Sequence, residues 1–402
     1  MLLRSLCFLI GLLLALGVAL DAFQTIILPR RPSGRFRITR LFYVATWRPW
    51  VRVGQITKSR RVRDQMYSMY GPLSLLTLFA LWGSLLMLAF ACLFFALGSP
   101  FADSFNNNAN LVGRFASDLY VSGTTLVTLG LGDVTPHSRL ARALVVLECG
   151  TGLGFTALVI GYVPVIYQAF SRREVSVAML DGRAGSPPTA SQLLDRHGYQ
   201  GGEQDLITLL GEWERWSAEI LETHISYPLL CYYRSQHDNQ SWLAALVTVL
   251  DACALLITNM DGPQVRQAQL TFAMGRHALI DLGHVFGIEQ TAVYLGAIQD
   301  RLPPEEFQRL CGTLGDSHLN LCGGPEARER LTAIRALYEP HAFALADYLK
   351  LDLPLWIPEP RASDPWKMVS NLRMGAGAER VVSDQVSAHA SSAHLHDKEH
   401  GF

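Results

Sequence analysis

Thr128-Leu129-Gly130-Leu131-Gly132-Asp133 is the run of residues in this chain whose types and spacing point most directly to chemistry. Two glycines in alternate positions can take φ > 0 without a Cβ clash, so successive carbonyls can turn to the same side. A row of backbone oxygens arranged that way, repeated about an axis, can replace the hydration shell of a cation. Two threonines, Thr124 and Thr125, precede the run, and Pro136 and Arg139 follow it. The stretch is a poor helix and a poor strand, as expected of backbone that presents oxygens rather than pairing them.

Other constellations support blander readings. His277, Asp281 and His284 recur at i, i+4 and i+7 on one predicted helix face. Three metal ligands could be placed so, but no further ligand is evident and a polar face within a bundle is the better reading. His389, His394, His396 and His400 resemble a weak metal-binding tract; a solvated tail is the simpler account. Glu212, Glu214, Glu219, Glu222 and His224 alternate with Trp213, Trp216 and Ile220, as on the solvent face of an amphipathic helix. No G-x-G-x-x-G follows a strand and no G-x-x-x-x-G-K-[ST] occurs, so a nucleotide-sensing domain is not supported. No motif has catalytic strength, and the chain is not expected to be an enzyme. No cofactor is expected, and no metal beyond a permeating ion.

The elements that must position the Gly-x-Gly run are apolar. Half of the 402 residues are hydrophobic and only 17% are charged, which is apolar for a soluble protein. Three segments are long enough to cross a bilayer, which takes about 20 apolar residues: Ser5 to Leu28, interrupted by Asp21; Leu73 to Leu97, without a charge; and Leu140 to Phe170, with Arg142 and Glu148 near its start. Glu148 is a costly group at that depth and is read as structural. It would pair behind the run or with an arginine of a neighbouring subunit. The first segment also has features of a signal peptide, but charge favours a retained span. Eleven basic residues lie between Leu28 and Leu73, opposed only by Asp64, so this loop belongs on the cytoplasmic side. The N-terminus and the stretch from Gly98 to Ser138 are then external, and the C-terminal region is cytoplasmic in a multi-pass cell-membrane protein.

Residues 1–28 form the predicted N-terminal transmembrane helix. Residues 29–72 form a basic loop, where Phe42, Tyr43, Trp47 and Trp50 alternate with arginines. That pattern fits either an interfacial helix on anionic lipid or a basic loop with packed aromatics. A basic stretch beside a span faces lipid rather than nucleic acid. Residues 171–192 read as a linker containing Gly182, Gly185, Pro187 and Pro188, and 193–357 as a helical cytoplasmic domain. Residues 241–258 are apolar enough to raise a fourth span, but Asp251 at their centre favours a buried helix in a soluble bundle. Residues 358–402 read as a disordered tail. The seven cysteines are scattered singly, and reduced thiols are expected.

With the run on the external side between two spans, Thr128 to Asp133 resembles the T-V-G-Y-G-D filter of prokaryotic two-helix-pore potassium channels. Thr124, Thr125, Pro136 and Arg139 match the pattern around such filters. The resemblance covers residues 73–170 and implies an all-α membrane protein with a pore of outer helix, pore helix, filter and inner helix, here joined to an extra N-terminal span and a helical cytoplasmic domain. It implies ion sites at the carbonyls of Thr128, Leu129, Gly130 and Leu131, backbone freedom at Gly130 and Gly132, and a mouth carboxylate at Asp133. The pore helix would cover about Arg114 to Val127, with its negative dipole toward the cavity. Gly152 stands where such channels have a hinge glycine, and Pro164 could add a kink. Four copies would close the pore, so a homotetramer is implied. Leu131 departs from the usual Tyr or Phe and cannot donate a hydrogen bond. The positions usually held by tryptophan fall at Tyr120 and Val121, so the expected brace is apolar packing. A potassium channel, a weakly selective cation channel, and a non-conducting receptor or scaffold built on the pore fold are the open functions. An unknown ligand or partner is assigned to the cytoplasmic domain.

Overall fold

The structure is a computed structural model that describes residues 1–28, 37–103, 110–236, 240–288, 300–315 and 324–359. It is nearly all helix. Helix α1 spans Leu2–Ala22, α2 Ile38–Ile56, α3 Arg60–Ala96, α4 Leu111–Leu126 and α5 Arg139–Ala184. Among the described residues one small antiparallel sheet pairs Phe101–Asp103 (β1) with Val134–Pro136 (β2).

Helices α1 and α3 run antiparallel and close. Arg4 lies beside Gly98, and a Cβ on Gly11 would stand 2.7 Å from the Ala89 carbonyl. Small residues let helix backbones approach this way in a bilayer, where apolar side chains gain nothing from leaving lipid. Asp21, the charge that interrupts the first apolar segment, is buried. Its Oδ2 accepts from Thr39 N (3.0 Å), Thr39 Oγ1 (2.6 Å) and Trp82 Nε1 (3.0 Å), and Arg37 Nε stands 3.7 Å from Oδ1. One carboxylate thus ties α1 to the start of α2 and to α3, and these bonds offset its burial.

The basic loop differs from an interfacial helix on lipid. Helix α2 passes through Pro49, and its aromatics face protein. Phe42 and Trp47 are buried. Trp47 Nε1 donates to the Tyr348 carbonyl at 3.0 Å and Trp50 Nε1 to the Met66 carbonyl at 3.1 Å. Tyr43 stacks on Tyr232 with ring centroids 5.5 Å apart, and Trp47 meets Tyr70 at 4.7 Å. Aromatic side chains bury large areas and pair edge to face or stacked, and here the C-terminal domain supplies the partner rings. The second span also starts earlier than its apolar run, since α3 is continuous from Arg60 through Pro72.

The expected linker over 171–192 is mostly helix. Helix α5 continues to Ala184, and Val177, Leu180 and Ala184 pack into the core of the C-terminal domain. At 46 residues it is about 69 Å long, well beyond a bilayer. That domain continues with α6 (Ala190–His197), α7 (Glu203–Ser226), a 3-10 turn over Pro228–Tyr232, α8 (Trp242–Asn259) and α9 (Pro263–Phe286). Among the described residues three helices follow: α10 (Pro304–Gly315), α11 (Gly324–Arg335) and α12 (Glu339–Leu349). Helix α8 is the core of this bundle. Trp242 to Leu256 are buried without a break, so the apolar run marks a domain centre. Asp251 within it is met by Arg301 Nη2 at 2.5 Å and by the Tyr338 hydroxyl. Arg301 also reaches Glu339 at 3.0 Å, and Arg335 reaches Asp300 at 2.6 Å. Burial drives the Asp251 carboxyl up, against the pull of Arg301, and coupling to Asp251 holds the Arg301 guanidinium above its ordinary range.

Five cysteines are free thiols, and Cys311 is disulfide-bonded, which departs from the expectation of reduced thiols throughout. The tail with His389, His394, His396 and His400 lies outside the described residues.

Candidate ion-conducting site

Helix α4 starts where Asn110 accepts a hydrogen bond from the Gly113 amide (2.9 Å), satisfying a free N–H of the first turn. It begins three residues before the expected Arg114. Val121, Ser122 and Leu126 are buried, and Gly123 lets Met87 Sδ approach. The helix ends against the Gly-x-Gly run itself. The amide of Thr128 donates to the Thr125 carbonyl at 3.0 Å, and those of Leu129 and Gly130 donate to the Thr124 carbonyl at 2.8 and 3.3 Å. Thr124 and Thr125 thus act through their backbone oxygens.

The run has an alternating backbone. Thr128, Gly130 and Gly132 have φ of 59°, 54° and 77°, while Leu129 and Leu131 between them are not in the positive-φ region. A reversal at every second residue turns consecutive carbonyls toward one side. A β-branched residue at positive φ is costly, and such strain persists where surrounding structure enforces it. At Gly130 and Gly132 a Cβ would meet nothing within 4 Å, so the need for glycine is torsional. Three amides of the run are engaged with α4. Among the described residues, no hydrogen bond reaches the carbonyls of Thr128, Leu129, Gly130 or Leu131. Four adjacent free oxygens on a reversing backbone are a set of hard donors suited to a cation.

The outer side is pinned twice. β2, immediately after Asp133, pairs with β1 in the register Phe101↔Pro136, and His137 N donates to the Pro100 carbonyl at 2.9 Å. The Tyr120 hydroxyl donates to Asp133 Oδ2 at 2.7 Å. An apolar brace was expected at Tyr120 and Val121; Val121 is buried, but Tyr120 braces the mouth with a hydrogen bond. Tyr120 lies thirteen residues from Asp133, and no local pattern announces the pair. Arg139 opens α5, capped by Ser138 Oγ on the Ala141 amide (3.1 Å).

Behind the run, Glu148 is fully buried as expected of a structural carboxylate. It hydrogen-bonds Ser122 on α4, whose hydroxyl also lies 2.8 Å from the Met87 carbonyl on α3. Glu148 and Ser122 therefore join α3, α4 and α5 within one chain. Gly152 sits in a continuous helix. A Cβ there would come 2.0 Å from the Leu126 carbonyl, so this glycine admits the end of α4 against α5. Pro164 is likewise inside the uninterrupted helix.

Toward its C-terminal end α5 is locked to the bundle that follows it. Arg173 is buried, and its guanidinium donates to the Leu230 carbonyl (2.9 Å) and the Tyr233 carbonyl (2.7 Å), with His224 Nε2 at 3.2 Å. Burial first, and then the Arg173 charge, push His224 well below the usual imidazole range, so it faces Arg173 as a neutral acceptor. His277 and His284 flank Asp281 at 3.5 and 3.8 Å with both rings exposed. No group of three or more His, Cys, Asp or Glu able to hold a metal occurs among the described residues.

The class that fold and site define is an all-α membrane channel. Residues 82–168 match a family described as an ion channel, a stretch that runs from α3 through the Gly-x-Gly run to α5. The match covers about a fifth of the chain and supports an ion-channel function with helices in the membrane. No curated protein and no solved structure matches the chain.

Proposed function

We propose that the protein conducts K⁺ passively across the cell membrane, through a pore closed by four copies of Thr128 to Asp133. The observation that carries this reading is the alternating backbone with three of its amides engaged and the carbonyls of Thr128 to Leu131 free. Asp133 concentrates cations at the mouth, and the α4 C-terminus points its dipole at the cavity below. A tetramer accounts for surfaces that one chain leaves bare: Leu129 is 59% exposed and Leu131 60%, and the apolar window of α5 is only 11% buried. With α1, α3 and α5 as spans, the basic loop between Leu28 and Leu73 supports an orientation with the N-terminus and Asp133 outside and the domain from Arg173 onward in the cytoplasm. That domain assembles the subunits or gates the pore in response to a ligand.

The test is the reversal potential of purified protein in a planar bilayer under a K⁺/Na⁺ gradient. A value near the potassium equilibrium potential is expected. A weakly selective cation channel is the second reading, favoured by Leu131, which makes no hydrogen bond to the pore helix; a value near zero under bi-ionic conditions would establish it. Silent bilayers, with Thr128→Ala leaving cell physiology unchanged, would establish the non-conducting receptor.

A further inference from the structure

A cavity of about 590 Å³ lies between the membrane helices and the cytoplasmic domain, away from the pore. Its floor is apolar: Leu75, Leu78, Phe79 and Trp82 of α3 and Tyr162 of α5. Leu75 is 21 residues before the filter-side end of α3, about 31 Å along the helix. The floor is therefore at the depth of the leaflet remote from Asp133. Its rim is basic. Arg37, just before α2, and Arg40, Val44 and Arg48 of α2 line one stripe, spaced at three to four residues.

The three arginines are not equivalent. Arg37 is engaged with Thr25 Oγ1 at 2.8 Å and with Asp21. Arg40 and Arg48 are exposed and make no ion pair among the described residues. The carboxylate on the opposite wall, Asp281, stands between His277 and His284. The cavity thus has an apolar floor at membrane depth and two uncommitted guanidiniums at the cytoplasmic edge. Guanidinium recognises phosphate with paired donors, and basic pockets between helices on the cytoplasmic side suit phospholipid headgroups.

We propose that this cavity binds an anionic phospholipid, with its phosphate on Arg40 and Arg48 and the start of its acyl chains against the exposed Val44. The proposal rests on the membrane orientation given above. It also reaches the pore. Pro228, Leu229 and Tyr232 of the 3-10 turn form part of the wall, and the carbonyls of Leu230 in that turn and of Tyr233 just after it hold Arg173 of α5. A bound lipid packs the turn that anchors the inner helix.

Native mass spectrometry of the full-length protein, exchanged into micelles with phosphatidylglycerol or phosphatidylcholine, tests the site. The protein is expected to retain phosphatidylglycerol preferentially. An arginine near an anionic lipid is worth about fivefold, so Arg40→Gln with Arg48→Gln should weaken retention roughly 30-fold. Val44→Trp, at an exposed lining position that keeps both charges, should exclude the lipid sterically and serves where the double variant fails to fold. Unchanged retention in either folded variant overturns the proposal. Displacement of lipid by inorganic phosphate or glycerophosphate at equal concentration also overturns it, in favour of a soluble phosphate ester. Rubidium flux into vesicles with and without phosphatidylglycerol separates the two readings. No flux in any lipid sinks the channel while leaving retention intact, whereas equal flux in both lipids sinks the coupling to α5.

Discussion

Helices α5 and α8 are both apolar enough to cross a membrane, yet only 11% of the apolar window of α5 is buried within the chain, against 89% for α8. In α8 the chain itself supplies every neighbour, and even Asp251 finds Arg301 and Tyr338. In α5, Val146, Leu147, Leu153, Ile160 and Tyr167 stay exposed, a surface that in water would be a liability. The C-terminal bundle is complete in one chain. The segment around the Gly-x-Gly run leaves an apolar surface that the proposed tetramer and its lipid would cover.

The largest effect should come from the pore half. Gly130→Ala places a Cβ at φ of 54°, at about 1–2 kcal/mol per chain. Repeated over each chain of the proposed tetramer, it should reduce rubidium flux more than 100-fold while the protein elutes unchanged in size-exclusion chromatography. Conduction at the normal rate would show that the alternating backbone is not the ion path. Next, Arg301→Ala should strike only the complete half, because it leaves Asp251 and Glu339 buried without their shared cation. A loss of about 3–5 kcal/mol should appear as a lower melting transition of the cytoplasmic domain; an unshifted melt would show that the network contributes nothing.

A smaller effect should follow from Tyr120→Phe, which removes one exposed hydrogen bond to Asp133 worth about 1 kcal/mol. Current should persist, with the reversal potential moving toward zero in a K⁺/Na⁺ gradient. An unchanged potential would return the bracing role to apolar packing alone. The smallest concerns the junction of the two halves. His224 has a folded pKa far below its unfolded value near 6.5, so its contribution is fully present above about pH 6.5 and is lost as pH falls toward the folded pKa. Melting curves between pH 7.5 and 5 should decline more steeply for the native protein than for His224→Gln; parallel curves would exclude the histidine.

The backbone of the Gly-x-Gly run was legible because its determinants are local. The glycine alternation at Gly130 and Gly132 constrains torsion residue by residue. The linker over 171–192 was misread because Gly182 signals a break in composition while Val177, Leu180 and Ala184 are held in a core from elsewhere in the chain. The aromatics of α2 were legible as amphipathic, but their partners, Tyr232 and Tyr348, lie far along the sequence.

The amino-acid sequence by itself determined which segments are apolar enough to span, where basic charge accumulates, and which six residues can reverse their backbone at alternate positions. Each follows from composition or from one residue's own torsional freedom. Only the tertiary structure decided that α8 is a domain core, that Tyr120 braces Asp133, that Gly152 admits the Leu126 carbonyl, and that α2 closes a basic cavity over α3. Those outcomes depend on which distant surfaces meet, and hydropathy cannot tell a helix buried by its own chain from one buried by lipid.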